Sequence, residues 1–209
     1  MAGSMEKSDF KKSIKSYSAP RGEFEIIEVP PLQYLMIDGH GDPNDSPAFK
    51  TAITTLYPLA YKLKFMSKQT LGKDYTVMPL EALWWADDMA SFTTARDKSQ
   101  WDFTLMIMQP DWITGDMVTA AKQAVLAKNP ELNVAKVRFE TVNEGTAAQT
   151  LHVGSFDDEA PVLARMHNDF IPSNGYEMAL KHHEIYLSDF RKVEPAKLKT
   201  ILRQPVRKP

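Results

Sequence analysis

Apolar and polar positions along this chain fall mostly into short runs with a period of two, interrupted by three stretches with helical spacing. The short runs, bounded by Pro, Gly and Asn, predict strands over residues 23–29, 33–38, 76–85, 101–108, 134–141, 146–153, 176–187 and 201–206. Pro30-Pro31 separates the first two, and Gly39-His40-Gly41-Asp42-Pro43 is a turn after the second. Asp45-Ser46-Pro47 then opens a helix. Asp45 or Ser46 can cap it, and Pro47 suits a first turn, where no N–H is needed. This helix runs to about residue 66 with Phe49, Ile53, Leu56, Ala60 and Leu63 on one stripe, and Pro58 is expected to kink or break it. A second helix covers about 115–128, capped by Thr114 and closed by Asn129-Pro130, and a third about 158–170, with Pro161 early. Residues 87–100 read as a polar loop and 195–200 as a short helical turn.

The order strand, turn, helix, strand, strand occurs twice, over about 33–108 and 146–206. Ile37-Asp38-Gly39-His40-Gly41-Asp42 leads into one helix as His152-Val153-Gly154-Ser155-Phe156 leads into the other. In the third elements, Pro79-Leu80-Glu81-Ala82-Leu83-Trp84 aligns with His182-His183-Glu184-Ile185-Tyr186-Leu187, so Glu81 corresponds to Glu184. The expected fold is α+β. Two pseudo-symmetric strand-helix-strand-strand modules form a concave antiparallel sheet, with helices on the convex face and a ligand cleft on the concave face. It occupies residues 23–209 as one domain, after a tag remnant (Met1 to Met5) and a loose or marginally helical arm within residues 1–22.

Glu184 lies mid-strand in Lys181-His182-His183-Glu184-Ile185-Tyr186-Leu187-Ser188-Asp189. Residues two apart share a face, so His182, Glu184 and Tyr186 project together, opposite Ile185 and Leu187. A carboxylate there is either a solvated residue on an open sheet face or the floor of a polar, aromatic cavity. If Glu81 faces a cleft, Leu83 and Trp85 do so too, while Leu80, Ala82 and Trp84 face helices. Tyr34 and Met36 share one face. In strand 101–108 either Trp101, Phe103, Leu105 and Ile107 or Asp102, Thr104, Met106 and Met108 line the cleft.

Composition narrows the choices. With 25 Lys+Arg against 27 Asp+Glu, nothing suggests a nucleic-acid face. The absence of Cys excludes disulfides and thiol catalysis and fits a cytoplasmic setting. No membrane span or signal peptide is visible. The five His are too scattered to suggest a metal, and the adjacent pair His182-His183 points to opposite faces. No cofactor motif appears. Four Trp, ten Phe, seven Tyr and eleven Met could fill a core or line a pocket for a flat apolar ligand. Trp112, beside a helix start, reads as a hydrophobic staple or as a lid over the cleft.

His183-Glu184-Ile185-Tyr186 is similar to the Glu-x-Tyr strand of GyrI-like small-molecule-binding proteins. Pro79 to Trp85, Met108-Gln109-Pro110, Gln149 to Gly154, His182 to Asp189 and Thr200 to Val206 resemble a stand-alone subgroup that includes cyclopropanoid cyclopropyl hydrolases. The resemblance covers residues 23–206 and implies two modules with a carboxylate at the bottom of a ligand cavity. It departs from the family's transcription activators, which carry a helix-turn-helix domain. It implies a protein that takes a planar aromatic, electrophilic or cationic small molecule. The implied reaction needs neither metal nor cofactor: a carboxylate deprotonates a water aimed at the strained ring, while a donor holds the carbonyl oxygen. The residues expected to carry it are Glu184 as base, Glu81 as a second water-orienting carboxylate or an acid, and Tyr176 or Tyr186 as donor. Trp85, Tyr186, Tyr34, Met36, Leu83, Trp101, Phe103, Trp112 and His182 are the expected substrate-binding set. The alternative is a module that binds or senses a ligand without changing it, with Glu184 as counter-charge to a cation.

Overall fold

The computed structural model describes residues 6–88 and 97–209. The tag remnant 1–5 and residues 89–96 of the expected polar loop lie outside the described residues. Eleven strands are described: β1 (Lys7–Ser8), β2 (Glu25–Val29), β3 (Leu32–His40), β4 (Asp74–Tyr75), β5 (Leu80–Trp85), β6 (Asp102–Gln109), β7 (Arg138–Val142), β8 (Gly145–Val153), β9 (Glu177–Met178), β10 (His182–Tyr186) and β11 (Lys199–Arg207). Strands β1 and β4 form a small parallel ladder. The rest build one antiparallel sheet in the order β2-β8-β11-β10-β5-β6-β3-β7, with β9 also pairing β11.

The order makes the repeat visible. Reading outward from the centre, one half runs β5-β6-β3 and the other β10-β11-β8, joined by the β5–β10 pair. Each half then borrows its edge strand from the lead-in to the other: β2 precedes β3 but pairs β8, and β7 precedes β8 but pairs β3. The sheet curls into a half-barrel with the helices packed against it.

Helix α1 (Phe10–Ser13) is a single turn whose N-cap Asp9 accepts from the Lys11 N–H. Helix α2 (Pro47–Met66) follows the turn after β3, with its apolar stripe on the sheet. It runs on through Pro58, contrary to the expected break, and passes into a π-helical turn at Ser67–Leu71. Helix α3 (Gly115–Lys128), capped by Thr114 Oγ1 on the Met117 N–H, packs beside α2. The third predicted helix is divided into a 3-10 turn (Phe156–Glu159), α4 (Ala160–Arg165), a π-helical turn (Met166–Phe170) and α5 (Ile171–Ser173). Each repeat thus carries a π-helical turn after its helix. The expected strand 176–187 is also interrupted, because Leu180 between β9 and β10 has φ 53°, which no strand accommodates.

The largest core lies between α2 and one face of the sheet, where Phe49, Ile53 and Leu56 meet Leu35, Phe103, Leu105 and Leu80. A smaller cluster around Met166, Ile171 and Leu202 lies under α4 and α5. The arm expected to be loose is ordered from residue 6 and packed: Ser16 and Tyr17 are buried. Their hydrogen bonds to the sheet, given below, are the reason. Among the described residues no helix is long and apolar enough to cross a membrane.

Gly39 shows how closely β3 and β6 approach. A Cβ there would sit 2.2 Å from the Phe103 ring, which is fully buried under α2 and has nowhere to move. Overpacking of this kind costs about 1–3 kcal/mol. Gly39→Ala is therefore expected to lower unfolding free energy by about that amount in urea denaturation, and an unchanged midpoint would contradict the packing.

Candidate functional site

The β5–β10 register decides what can meet. It opposes Ile185 to Glu81, Glu184 to Ala82 and His183 to Leu83. Directly opposed residues share a face, so Glu81 lies with His183 and Ile185, and Glu184 lies with Ala82 and Trp84. The expectation that both carboxylates share one cleft is corrected. They project from opposite faces, because the repeat alignment was one residue out of step and a slip of one residue reverses the face.

On the helix-bearing face, Glu184 accepts a hydrogen bond from the Tyr186 hydroxyl at 2.7 Å, and Tyr186 in turn accepts from Trp84 Nε1 at 3.1 Å. His182 Nε2 lies 3.1 Å from the other Glu184 oxygen. The group sits between the start of α2, whose Phe49 stacks on Trp84, and the π-helical turn after α4, whose His167 ring faces His182. Trp101 packs edge-on to Trp84, and Phe156 and Phe190 edge-on to Tyr186. The Glu184 side chain keeps 12% of its exposure and His182 14%, so solvent reaches a carboxylate set among aromatic rings. Burial, then the Glu184 charge, raises the Tyr186 phenol well above its usual range, keeping it a donor. Burial, aided by His182, lowers His167 to about 4, so its ring is neutral at pH 7. His182 Nδ1 and His167 Nε2 are buried with no hydrogen-bond partner among the described residues, and a ligand's polar atom could satisfy either.

The opposite face carries a buried chain of charges. His183 Nε2 bonds Glu81 at 2.7 Å and its Nδ1 bonds Glu144 at 2.8 Å. Arg203 Nη1 donates to the other Glu144 oxygen at 2.8 Å and Arg203 Nε to Gln149 at 3.1 Å. The second Glu81 oxygen accepts from the Tyr17 hydroxyl, and Arg203 Nη2 donates to the Ser16 carbonyl. Glu81 and His183 are fully buried. With a carboxyl group at each ring nitrogen, His183 donates from both, which only the imidazolium can do. Burial works against that charge, but Glu144 and the Glu81 hydrogen bond outweigh it and raise His183 to about 9. Burial likewise opposes the Glu144 charge, and His183 and Arg203 override it, lowering Glu144 to about 2.

The remaining expected residues divide between these faces or fall outside both. Tyr34, Met36, Leu83 and Trp85 lie on the Glu81 face, beside Met108, Met106, Thr104 and Asp102. Phe103 lies on the helix face, as a buried wall behind Trp84. Trp101 belongs to the Glu184 constellation. Trp112 stands apart: it donates to Ser67 Oγ at 2.9 Å and packs on Phe10 and Tyr75, so it anchors the arm and covers neither carboxylate. Tyr176 packs with the Met166 cluster under the Lys208 ammonium, and among the described contacts it meets neither Glu81 nor Glu184. Sequence reasoning missed His167, Phe156 and Phe190, which come from outside the strands, and took Trp84 for core alone. It also missed His183, Glu144, Arg203 and Tyr17. An Arg and a Glu flanking apolar strand runs were the available signals, but their partners are far along the chain. Among the described residues no three metal-ligating side chains converge.

Residues 22–207 match the model of the GyrI-like small molecule binding domain. An uncharacterised conserved protein from Listeria innocua is 39% identical, with a TM-score of 0.87 over 96% of this chain and 100% of that one. A hydrolase from Listeria innocua is 38% identical, with a TM-score of 0.84 over 96% of this chain and 100% of that one. The C-terminal domain of EcmrR, at 14% identity, shares the fold, with a TM-score of 0.54 over 90% of this chain and 98% of that one. No curated protein matches.

The buried chain predicts a stability profile. His183 rises from 6.5 to about 9, so its contribution is complete below pH 6.5 and lost as pH climbs through 9. Glu144 falls from 4.5 to about 2, so its contribution is complete above pH 4.5 and lost towards pH 2. Unfolding free energy should therefore plateau near pH 4.5–6.5 and decline above it, by at most about 1.4 kcal/mol per pH unit. His183→Gln should flatten the alkaline limb in chemical denaturation across pH; an equally steep limb in the variant would show that another group sets it.

Proposed function

This chain belongs to the GyrI-like small-molecule-binding domain family, and from that premise we propose that it hydrolyses flat, electrophilic, cyclopropane-bearing toxins at the Glu184 constellation. The observation that carries the reading is the partly exposed Glu184 carboxylate, hydrogen-bonded by Tyr186 and His182, with Trp84, Phe156 and Phe190 against Tyr186 and Trp101 against Trp84. Aromatic walls suit a planar ligand, and the hydrolase relatives at 38% identity favour an enzyme over a passive binder.

In this mechanism Glu184 takes a proton from water as the water oxygen attacks a ring carbon. The carbon–carbon bond of the ring breaks, and its electron pair moves to the conjugated carbonyl oxygen, which is then protonated. The net change is addition of water. Tyr186 holds the carboxylate in one orientation through its single O–H, a bond itself fixed by Trp84, and that O–H turns to the carbonyl oxygen once Glu184 has taken the proton from water. Tyr176 packs in the Met166 cluster and takes no part in this step. Glu81 has no role in this step, because it is buried on the other face. Ring strain lowers the barrier, so positioned acid–base help of about 10²–10⁴-fold is sufficient.

The second reading is a binding module in which Glu184 meets a cationic aromatic ligand. The same carboxylate among rings supports it. Incubation with a cyclopropane-bearing electrophile, followed by mass spectrometry, separates the two. Hydrolysis predicts a water adduct whose rate drops about 10²–10⁴-fold in Glu184→Gln and is little changed in Tyr176→Phe. Ligand recovered intact, with affinity that weakens in Glu184→Gln, would favour the binding module and overturn the enzymatic reading.

A further inference from the structure

The face opposite the helices holds a second site that the proposed chemistry leaves unused. Its carboxyl group is Glu81. One oxygen is held by His183 at 2.7 Å, and the other accepts the phenol of Tyr17. The Tyr34 hydroxyl lies close to the same phenol. Tyr17 comes from the arm, which precedes the domain match beginning at residue 22. The domain grips residues 16–18 of this arm through Glu81 on the Tyr17 hydroxyl, Arg203 on the Ser16 carbonyl and Gln149 Nε2 on the Ser18 carbonyl at 2.9 Å, and holds the arm on either side of them through the β1–β4 ladder and the Leu151 N–H on the Pro20 carbonyl. Only Ser16 and Tyr17 are buried, between exposed Lys15 and Ser18. The segment ends at Gly22, whose φ of 77° marks a turn that few other residues adopt.

Beside this contact lies a cavity of about 530 Å³. Phe10 and Ile14 of the arm form one wall, and Leu32, Met108 and Trp112 the other. Its lining includes Met108, the register partner of Tyr34, but not Tyr17, Tyr34 or Glu81 themselves. Its size falls within the range of small-molecule sites, about 300–1,000 Å³.

We infer that Tyr17 is an internal ligand, and that this face binds an external hydroxyaryl molecule in its place when the arm lifts. The geometry specifies a hydroxyl on the ring. With His183 fixing one Glu81 oxygen, the other is held ready for a single O–H donor at the end of the buried space that the Tyr17 ring now fills. An arene without the hydroxyl would leave that buried oxygen unpaired and is rejected accordingly. The arm competes for the same oxygen, so affinity in the intact chain is reduced by the fraction of molecules with the arm seated. Displacement of residues 15–18 then reports occupancy.

The test uses the full-length chain with p-cresol as probe and toluene as control. In Tyr17→Ala, titration calorimetry should show p-cresol binding about tenfold or more tightly than to wild type, and about tenfold or more tightly than toluene binds the variant. In wild type, saturating p-cresol should accelerate amide hydrogen exchange at residues 15–18, while toluene leaves it unchanged. Tyr17→Phe keeps the ring and loses the donor, so exchange at those amides should rise about tenfold even without probe. Equal binding of the two probes by Tyr17→Ala, or none, would overturn the inference. If that variant does not fold, unchanged arm exchange in wild type with p-cresol, or in Tyr17→Phe without it, would overturn it equally.

Discussion

The pairing of β5 with β10 is the joint on which the rest of the molecule depends. It unites the two halves of the sheet, and its register assigns every side chain on both strands to one face or the other. Because opposed residues share a face, placing Glu184 across from Ala82 sends Glu184 towards the helices and Glu81 away from them. Shifting β5 by one residue would put Glu81 into the aromatic layer under α2, and shifting β10 would put His183 there and carry Glu184 and Tyr186 to the far face. The penalty for such a slip is the desolvation of unpaired charges, which is why the register is specified strongly.

The charge chain on the far face enforces the same choice. Glu81, His183, Glu144 and Arg203 are drawn from four separate strands or turns, and their bonds close only when β5, β10 and β11 are in register and the turn before β8 is in place. Buried ion pairs add little net stability over a well-packed apolar core, since desolvation offsets most of the attraction. Their effect here is specificity. A chain in which any one partner is displaced keeps an uncompensated charge in the interior, so alternative pairings of these similar strands are disfavoured.

The two faces differ in access, and the difference follows from what covers each. On the helix face, the Phe49 ring of α2 stacks on Trp84 and the His167 ring after α4 faces His182, leaving Glu184 partly exposed between them. The other face is crossed by the N-terminal arm, which fills it with the Tyr17 phenol. A carboxylate that retains solvent contact can activate water or meet a cation. One sealed under a phenol can do neither until the phenol leaves.

Much of this was legible in the residues themselves. Caps at Thr114, the stripe from Phe49 to Leu63 and the Pro-Gly punctuation located the principal helices and most strands, because such signals act within a few residues. The repeated order of elements indicated two similar modules, and period two separated Leu80, Ala82 and Trp84 from Glu81, Leu83 and Trp85. Tertiary structure alone decided the relation between Glu81 and Glu184, since aligning repeats by similarity tolerates an error of one residue and a strand does not. It alone joined Tyr17 to Glu81 across 64 positions and Arg203 to Glu144 across 59. Local patterns carry information on which way a side chain points relative to its own strand. Which groups it meets is set by pairings between distant segments, and these are selected by burial and charge compensation in the folded chain as a whole.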